Sequence, residues 1–371
     1  MVAATVAGCT VNTASSADAP EGAGASAPAK SNRTRTASNL QIKRLSIGEK
    51  PPQFVLFSFD GVGASPNWDR FLDVAQAKNA RFTALMTGLY FLTDAAKTRY
   101  QGPGHRPGEA SLAFGGTQRE VRQQIDHLNR TWAAGHEMGT HFVGHFCHGT
   151  GYPGQRWTAK DWNHELDQFF ALMSNWRNNT GISDGDDLAF DSRAVHGGRT
   201  QCLEGSPQTL FPALKSHSMT WDSSFPAQRR GVVWPTKVDG IWEFPIPYVY
   251  SPTLRRAQTA LDYNFWVTFN GANNAPGEAP KIREMVRTTY QYMYRRAFEG
   301  NRAPLVIANH FNEWSGNAFN PATADFMTEV CAQTDTQCVT HEDLVRWMEA
   351  QDPAVLAALQ AQPPVAGDAV S

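Results

Sequence analysis

The chain has 371 residues, of which 41% are hydrophobic and 18% charged, enough apolar side chains for one large domain or two ordinary ones. Its formal net charge is -2 and it contains no long basic block, which argues against nucleic acid as a partner. No run of about 18 apolar residues occurs, so the sequence predicts no membrane-spanning helix.

The first residues are small and apolar, and Val6-Ala7-Gly8-Cys9 is similar to a bacterial lipobox, in which Cys9 would carry the lipid. The segment lacks a basic start and is shorter than a full signal peptide, so either the true start lies upstream or the match is chance. We favour the lipobox, because the segment to about residue 50 has the Ala, Ser, Thr, Gly and Pro of a disordered tether. A frayed terminus is the alternative. We therefore expect an extracytoplasmic protein, secreted or lipid-anchored to the outer face of the cell membrane.

Short apolar runs alternate with helical patterns along the middle of the chain. The run 53–59 is typical of a strand buried on both faces, and it ends at a loop signal beginning with Asp60-Gly61. A long helix is predicted from Thr158, a good cap with Asp161 in its first turn, to about residue 178. The other predicted strands are 80–85, 137–142, 194–198, 219–222, 241–244 and 305–308, and the other predicted helices are 67–78, 117–134, 208–216, 281–299, 322–332 and 341–351.

This alternation predicts βαβ units and a mostly parallel sheet. We expect one folded domain over residues 51–352, preceded by the lipobox-like start and tether at 1–50 and followed by a flexible tail at 353–371. Several polar residues each end a predicted strand, and active sites of parallel α/β folds form at these ends. They are Asp60, His141, Arg199, Asp222 and His310.

His141 and His145 are four residues apart, and on a helical turn such residues share one face. Two neutral imidazoles and a carboxylate make a good set of ligands for a divalent ion such as zinc, and Asp60 is the candidate carboxylate. His136-Glu137 begins like a zinc protease motif, but the second histidine of HExxH is absent, which argues against a metalloprotease.

Four cysteines remain when Cys9 is set aside, and four allow three pairings. Cys331 and Cys338 enclose a short polar segment and are able to close a small loop, which leaves Cys147 and Cys202 as the second pair. Two disulfides suit an exported protein, whereas all of these residues would be free thiols in the cytosol.

Five segments in order resemble the polysaccharide deacetylases, the family four carbohydrate esterases, and particularly exported or lipoprotein members of actinobacterial type, over about residues 53–350. They are Ser58-Phe-Asp-Gly61, Gly139-Thr-His-Phe-Val-Gly-His145, Gly197-Gly-Arg-Thr-Gln-Cys-Leu-Glu204, Thr220-Trp-Asp-Ser-Ser224 and Leu305-Val-Ile-Ala-Asn-His-Phe-Asn312. The resemblance implies a distorted, incomplete (β/α) TIM-like barrel. It also implies a metal-dependent hydrolase, expected to be monomeric, that removes N- or O-acetyl groups from a polysaccharide such as peptidoglycan, a chitin-type polymer or xylan.

The resemblance also assigns roles by position. His310 matches the family's general acid, and Arg199 matches the residue that orients the aspartate ending the first strand. Asp222 matches a carboxylate that tunes the acidic histidine. Trp314 is a candidate for stacking on a sugar ring, with core packing as the alternative.

Two departures from the family pattern bear on these roles. The family has two consecutive aspartates after the first strand, one as base and one as metal ligand, whereas this chain has Asp60 and then Gly61. Aligned without a gap, Asp60 is the base and the ligand is missing; aligned on the glycine, Asp60 is the ligand and the base is missing. The segment after Arg199 also lacks the usual proline and aromatic residue, and a Cys147–Cys202 disulfide would replace their rigidity.

Three functions therefore remain open. The chain is a metal-dependent polysaccharide deacetylase, a catalytically weak or inactive carbohydrate-binding relative, or an amidase that acts on a non-sugar amide with the same barrel.

Overall fold

The computed structural model describes residues 34–369, so Cys9 and the lipobox-like segment lie outside the described residues. The strands are β1 Gln53–Val62, β2 Phe82–Met86, β3 Glu137–Thr140, β4 Val195–Gly198, β5 Trp221–Asp222, β6 Thr236–Val238, β7 Ile241–Glu243, β8 Tyr248–Ser251, β9 Arg256–Thr259, β10 Leu305–His310 and β11 Thr336–Cys338. The helices are α1 Asn67–Ala77, α2 Gln118–Ala133, α3 Ala159–Ser174, α4 Trp176–Thr180, α5 Pro207–Ser216, α6 Asp262–Asn270, α7 Ala279–Glu299, α8 Trp314–Asn317, α9 Phe319–Val330, α10 His341–Glu349 and α11 Pro353–Gln360.

Nine strands form one curled sheet in the order β10-β1-β2-β3-β4-β5-β7-β6, with β11 pairing beside the start of β1. Every neighbouring pair is parallel except β6 and β7. Among the described residues, no pairing joins β10 to β6 or β7, so the barrel is left open. This confirms the predicted fold class, a distorted and incomplete (β/α) barrel.

The first strand lies at the centre of the core. Nine of its ten residues are buried, as expected for a strand covered on both faces, and Phe59 packs against the rings of Phe71, Phe82 and Phe311. Each such buried ring contributes roughly 1.5–3 kcal/mol of transfer free energy. β1 pairs with β10 in a parallel register that brings the C-terminal ends of the two strands together and pairs Asp60 with His310.

The predicted helix from Thr158 begins as expected, because Thr158 and Asp161 form a reciprocal capping box. The pattern is interrupted at Asn175, however, so α3 ends at Ser174 and the short α4 follows. None of the helices in residues 34–369 is both long and apolar enough to cross a membrane.

Packed structure continues beyond both predicted boundaries of the folded domain. Before residue 51, Leu45 is buried and its N–H donates to Oε1 of Gln351. After residue 352, where a flexible tail was predicted, the chain forms α11. Its apolar residues Val355 and Leu359 are buried. Leu45 and α11 therefore pack with the folded unit, although they lie in the segments predicted as tether and tail.

Candidate active site

A pocket of about 430 Å³ opens at the C-terminal ends of the parallel strands. Most of the residues predicted for the site border this pocket, and a tyrosine from α6 and the first disulfide add to its wall. The lining includes Asp60, Gly61, Tyr90, His141, His145, Cys147, Thr200, Cys202, Tyr263, His310 and Trp314.

Asp60 and Arg199 form a buried ion pair beneath the pocket, with 2.5 Å between Asp60 Oδ1 and Arg199 Nη1. The guanidinium is fully buried and is held in place by further hydrogen bonds to Ser58 Oγ and to the carbonyl and hydroxyl oxygens of Ser223. Burial raises the pKa of Asp60, but the charge of Arg199 and the neighbouring histidines outweigh it, and the net shift is downward. Asp60 is therefore a carboxylate at neutral pH.

The two histidines line the same pocket, but the helical turn predicted for them is absent. β3 ends at Thr140, and both histidines lie in the loop that follows, with positive φ angles of 56° at Phe142 and at His145. Their ring centroids are 5.7 Å apart. The loop, not a helix face, brings the rings together.

Hydrogen bonding and burial keep both imidazoles of this pair neutral. His141 Nδ1 lies 2.9 Å from the Arg199 carbonyl oxygen, a contact that makes Nδ1 the donor and leaves the lone pair on Nε2. Burial lowers the pKa of His141 to about 4 and that of His145 to about 3. Both rings are therefore neutral at pH 7, the form that coordinates a metal.

The two imidazoles suit a divalent ion. Among the described residues, however, no carboxylate forms a close group of three with them. Within residues 34–369, the only three His, Cys, Asp or Glu residues with ligand atoms all within 4.8 Å of one another are His145, Cys147 and Cys202, and these two cysteines form a disulfide. Asp60, the predicted third ligand, is not in such a group. A Cβ atom placed on Gly61 would lie 3.5 Å from Cδ2 of His141, so a side chain at residue 61 would begin beside His141.

His310 has a carboxylate partner that the sequence did not predict. Its Nδ1 lies 2.7 Å from Asp262 Oδ1, and its backbone N–H donates to Oδ2 of the same fully buried residue. Burial lowers the pKa of His310, but attraction to Asp262 and the hydrogen bond to it outweigh burial and raise it overall. Leu261 pairs with Ala308 beside β10, which places Asp262 next to the histidine.

The hydrogen bonds of Asp222 do not support the role that the resemblance assigned to it. It accepts hydrogen bonds from the N–H and Oγ of Ser224, and no hydrogen bond joins it to His310 among the described residues. β5 and β7 place it beside Glu243, and burial raises the pKa of both carboxyl groups. The carboxylate that is hydrogen-bonded to the His310 ring is Asp262.

The arginine and histidine segments are joined by the predicted disulfide between Cys147 and Cys202. The second predicted disulfide, between Cys331 and Cys338, is also present. The backbone N–H of Arg199 donates to the Thr140 carbonyl and that of Thr200 to Ser224 Oγ. These two N–H groups are therefore not available to a substrate oxyanion.

Trp314 both packs against other side chains and lines the pocket, the two alternatives that the sequence left open. It is half-buried and stacks on Trp266 with 4.7 Å between ring centroids, which is packing. It also lines the pocket beside His310 and the half-exposed Tyr263, which leaves a face for a ligand. Packing and ligand contact are compatible at this residue.

Glu165 of α3 is a second residue near the site that the sequence did not predict. Its Oε1 accepts the N–H groups of Val143 and Gly144, and Tyr100 donates its hydroxyl to the same carboxyl group. Glu165 thus holds the loop that carries both histidines. The available signal was an acidic residue within the apolar face of a predicted helix.

No family model matches the chain, and no curated protein matches it. Among solved structures, 42 chains match. Several of these structures are polysaccharide deacetylases or carbohydrate esterases by name. One is a protein from Mycobacterium smegmatis with a provisional assignment as a polysaccharide deacetylase; it has 15% identity and a TM-score of 0.48, covering 89% of this chain and 100% of that one.

Another is a family 4 carbohydrate esterase from Streptomyces lividans in complex with acetate, with 12% identity and a TM-score of 0.37, covering 77% of this chain and 91% of that one. A third is the allantoinase Puue, with 13% identity and a TM-score of 0.45, covering 84% of this chain and 98% of that one. Likenesses this distant carry no argument about activity.

Proposed function

We propose that the chain is a metal-dependent hydrolase that removes N- or O-acetyl groups from a polysaccharide. The observation that carries this proposal is the pocket itself, where the Asp60–Arg199 ion pair, two neutral imidazoles and the His310–Asp262 pair converge. Amide or ester hydrolysis needs an activated water, a polarised carbonyl and an acid for the leaving group. The pocket has residues suited to each task.

His141 and His145 would hold the ion, which when bound supplies a more acidic water and polarises the acetyl carbonyl. Asp60 is assigned here as the base. Its Oδ1 is occupied by Arg199, whereas Oδ2 has no hydrogen-bond partner within residues 34–369 and is able to accept a proton. Arg199 fixes the direction of the carboxylate, so the gap-free alignment of Asp60 is the one that the ion pair supports.

His310 is assigned as the acid for the leaving amine or alcohol. Its Nδ1 is bonded to Asp262, so Nε2 is the nitrogen that would deliver the proton. The raised pKa of His310 keeps more of the protonated form near neutral pH than an isolated histidine would have. Trp314 and Tyr263 are proposed to contact the sugar ring at the edge of the pocket.

The test is acetate release from acetylated peptidoglycan, chitin oligomers and xylan, with chelator and with added zinc, cobalt or nickel. We expect release that the chelator abolishes, and Asp60→Asn to lower kcat by about 10²–10⁴, the usual contribution of a general base. Ser58→Ala is the matched control, because it removes another hydrogen bond to Arg199 while keeping the base. Full activity in Asp60→Asn would contradict the assignment.

One observation favours a second candidate, a carbohydrate-binding relative with little or no turnover. Gly61 stands where the family has a carboxylate, and no described residue replaces it beside the histidine pair. Glycan binding with no acetate release under any of the three metals would support this candidate over the first.

The two disulfides support an extracytoplasmic location, because such bonds form and persist in oxidising compartments. Protein recovered from the cell exterior with all four of these cysteines bonded is the expected result. Free thiols at all four in protein from native cells would contradict it.

A further inference from the structure

The Cys147–Cys202 disulfide lies in the wall of the same pocket, next to one of the two histidines. Cys147 is half-buried and Cys202 is exposed, so the bond is accessible from solvent. Cys147 Sγ is 3.4 Å from His145 Nδ1. The ligand atoms of these three residues all lie within 4.8 Å of one another.

We propose that reduction of this disulfide creates a second metal site, made of the thiolates of Cys147 and Cys202 and the imidazole of His145. Two thiolates and one imidazole, with a fourth position open to water, form a well-known ligand set for tetrahedral zinc. The three ligands are already gathered in the oxidised protein, so little rearrangement of the chain is needed to bind the ion. The site takes a thiophilic divalent cation, in contrast to the nitrogen site of His141 and His145.

The chemistry requires a dithiol reductant. One thiolate of the dithiol attacks the exposed Cys202 sulfur, the Cys147–Cys202 bond breaks, and Cys147 leaves as a thiolate. The second thiol of the reductant then displaces Cys202, so the dithiol becomes a cyclic disulfide and transfers two electrons to the protein. The two protein thiols lose their protons to solvent when the metal binds.

The two sites exclude each other because His145 belongs to both. In the oxidised chain, His145 is available to pair with His141. In the reduced chain, the thiolates compete for it and hold the ion at the pocket wall. The thiol state of residues 147 and 202 thus determines which metal site the pocket offers, and this holds whether or not the chain hydrolyses acetyl groups.

The test uses the full chain with Co²⁺ as a spectroscopic probe. One sample stays oxidised, and the other is reduced with dithiothreitol and desalted without oxygen before Co²⁺ is added. We expect the reduced sample alone to show the intense near-ultraviolet thiolate-to-cobalt charge-transfer band and the visible bands of tetrahedral cobalt. A reduced sample that binds Co²⁺ without the thiolate band would overturn the proposal.

Variants decide which cysteines supply the sulfur. The double variant Cys331→Ser/Cys338→Ser is the matched control, since it removes the other disulfide of the chain and should keep the band. Cys147→Ser/Cys202→Ser should lose it, and His145→Asn should weaken Co²⁺ binding by the reduced chain. Persistence of the band in the 147/202 variant would overturn the proposal.

A second measurement covers the case in which the 147/202 variant does not fold. Reduced wild-type chain, alkylated with N-ethylmaleimide and checked by circular dichroism, should lose the band, and peptide mapping should show both residues alkylated. Loss of the band with residues 147 and 202 unmodified would count against the site. Acetate release is measured separately on the oxidised chain, so failure of the deacetylase proposal and failure of this one are distinguishable.

Discussion

At the residue scale, the glycine after Asp60 determines what the histidine pair lacks. The Cβ position of Gly61 is 3.5 Å from Cδ2 of His141 and 3.3 Å from Thr87 Oγ1, so a short acidic side chain there would begin beside His141. We predict that Gly61→Asp tightens zinc binding by the oxidised chain, because it adds a carboxylate to two imidazoles. Isothermal titration calorimetry measures the change.

Gly61→Asn is the control, since it has the same shape without the charge. Both variants place a side chain at a φ of +59°, which costs roughly 1–2 kcal/mol of stability, although Asp and Asn tolerate this region better than most residues. Equal zinc affinity for the two variants would mean that residue 61 does not reach the metal.

Asp262 is predicted to set the protonation of His310. Asp262→Asn removes the negative charge, so burial dominates and the pKa of His310 falls. The protonated acid is then lost at a lower pH, and the alkaline limb of kcat/KM for acetate release should move to lower pH. Asp222→Asn should leave that limb in place, because Asp222 is buried but not bonded to His310. A shift caused by Asp222→Asn alone would reverse the assignment.

The sequence predicted the residues at the strand ends but not all of their partners. Asp60, Arg199 and His310 each follow a strand that is predicted from its own local sequence. Asp262 starts a helix in a region with no apolar strand before it, and it meets His310 only because Leu261 lies along β10. That contact depends on tertiary packing, which no local pattern encodes.

At the element scale, α3 supports the loop of the two histidines through Glu165. Replacement by alanine leaves the buried N–H groups of Val143 and Gly144 without an acceptor, at a cost of about 1–3 kcal/mol for each unsatisfied group. We expect Glu165→Ala to lower the free energy of unfolding by this order and to weaken zinc binding. Denaturant unfolding and calorimetry measure the two effects.

Glu165→Gln is the matched variant, because its amide oxygen still accepts both N–H groups while Tyr100 reorients toward the amide. It should retain most of the stability and the zinc affinity. If Glu165→Ala were as stable as the wild type, the carboxylate would have no part in holding the loop.

Element types were more predictable than the geometry between them. The capping box at Thr158 marks the start of α3 in the sequence itself, and α7 shows its helical pattern over many turns. The hairpin of β8 and β9 was not predicted, because its strands are four residues each and partly exposed. The histidine loop was predicted as a helical turn, since the spacing of four residues does not distinguish a helix from a loop that doubles back.

At the scale of the whole molecule, buried acids should make the fold less stable as the solution becomes alkaline. Glu137 lies inside the barrel and accepts hydrogen bonds from Trp221, Thr83 and the N–H of Glu342. Burial raises the pKa of Glu137 to about 8 and that of Glu165 to about 7. At these two carboxyl groups the folded chain therefore binds more protons than the unfolded chain up to about pH 8, and the stability they contribute is lost as pH rises toward that value.

The expected window is pH 6.5 to 8. Below it, buried histidines with lowered pKa values, such as His141, oppose the trend, because they charge more readily in the unfolded chain. Glu137→Gln should flatten the fall in melting temperature across this window. His164→Gln, at the exposed surface of α3, is the control and should leave the slope unchanged. A wild-type melting temperature that rises across the window would contradict the prediction.

The overall architecture was the most predictable property of the molecule, since alternating strands and helices leave few arrangements for a parallel sheet. The limits of the folded unit were not, because residues 34–50 and 353–369 have the composition of tails. They pack through a few apolar side chains, such as Leu45 and Leu359, that are buried against the rest of the fold.

The position of β1 in the sheet has a consequence for biosynthesis. It is the first strand of the described chain to leave the ribosome, yet β10 and β11, which pair along one of its edges, are the last. During most of translation, an apolar strand with an open edge must be kept from other chains. Asp60 and His310 come side by side only when the final strands are added, so a nascent or truncated chain has no complete pocket with which to act prematurely.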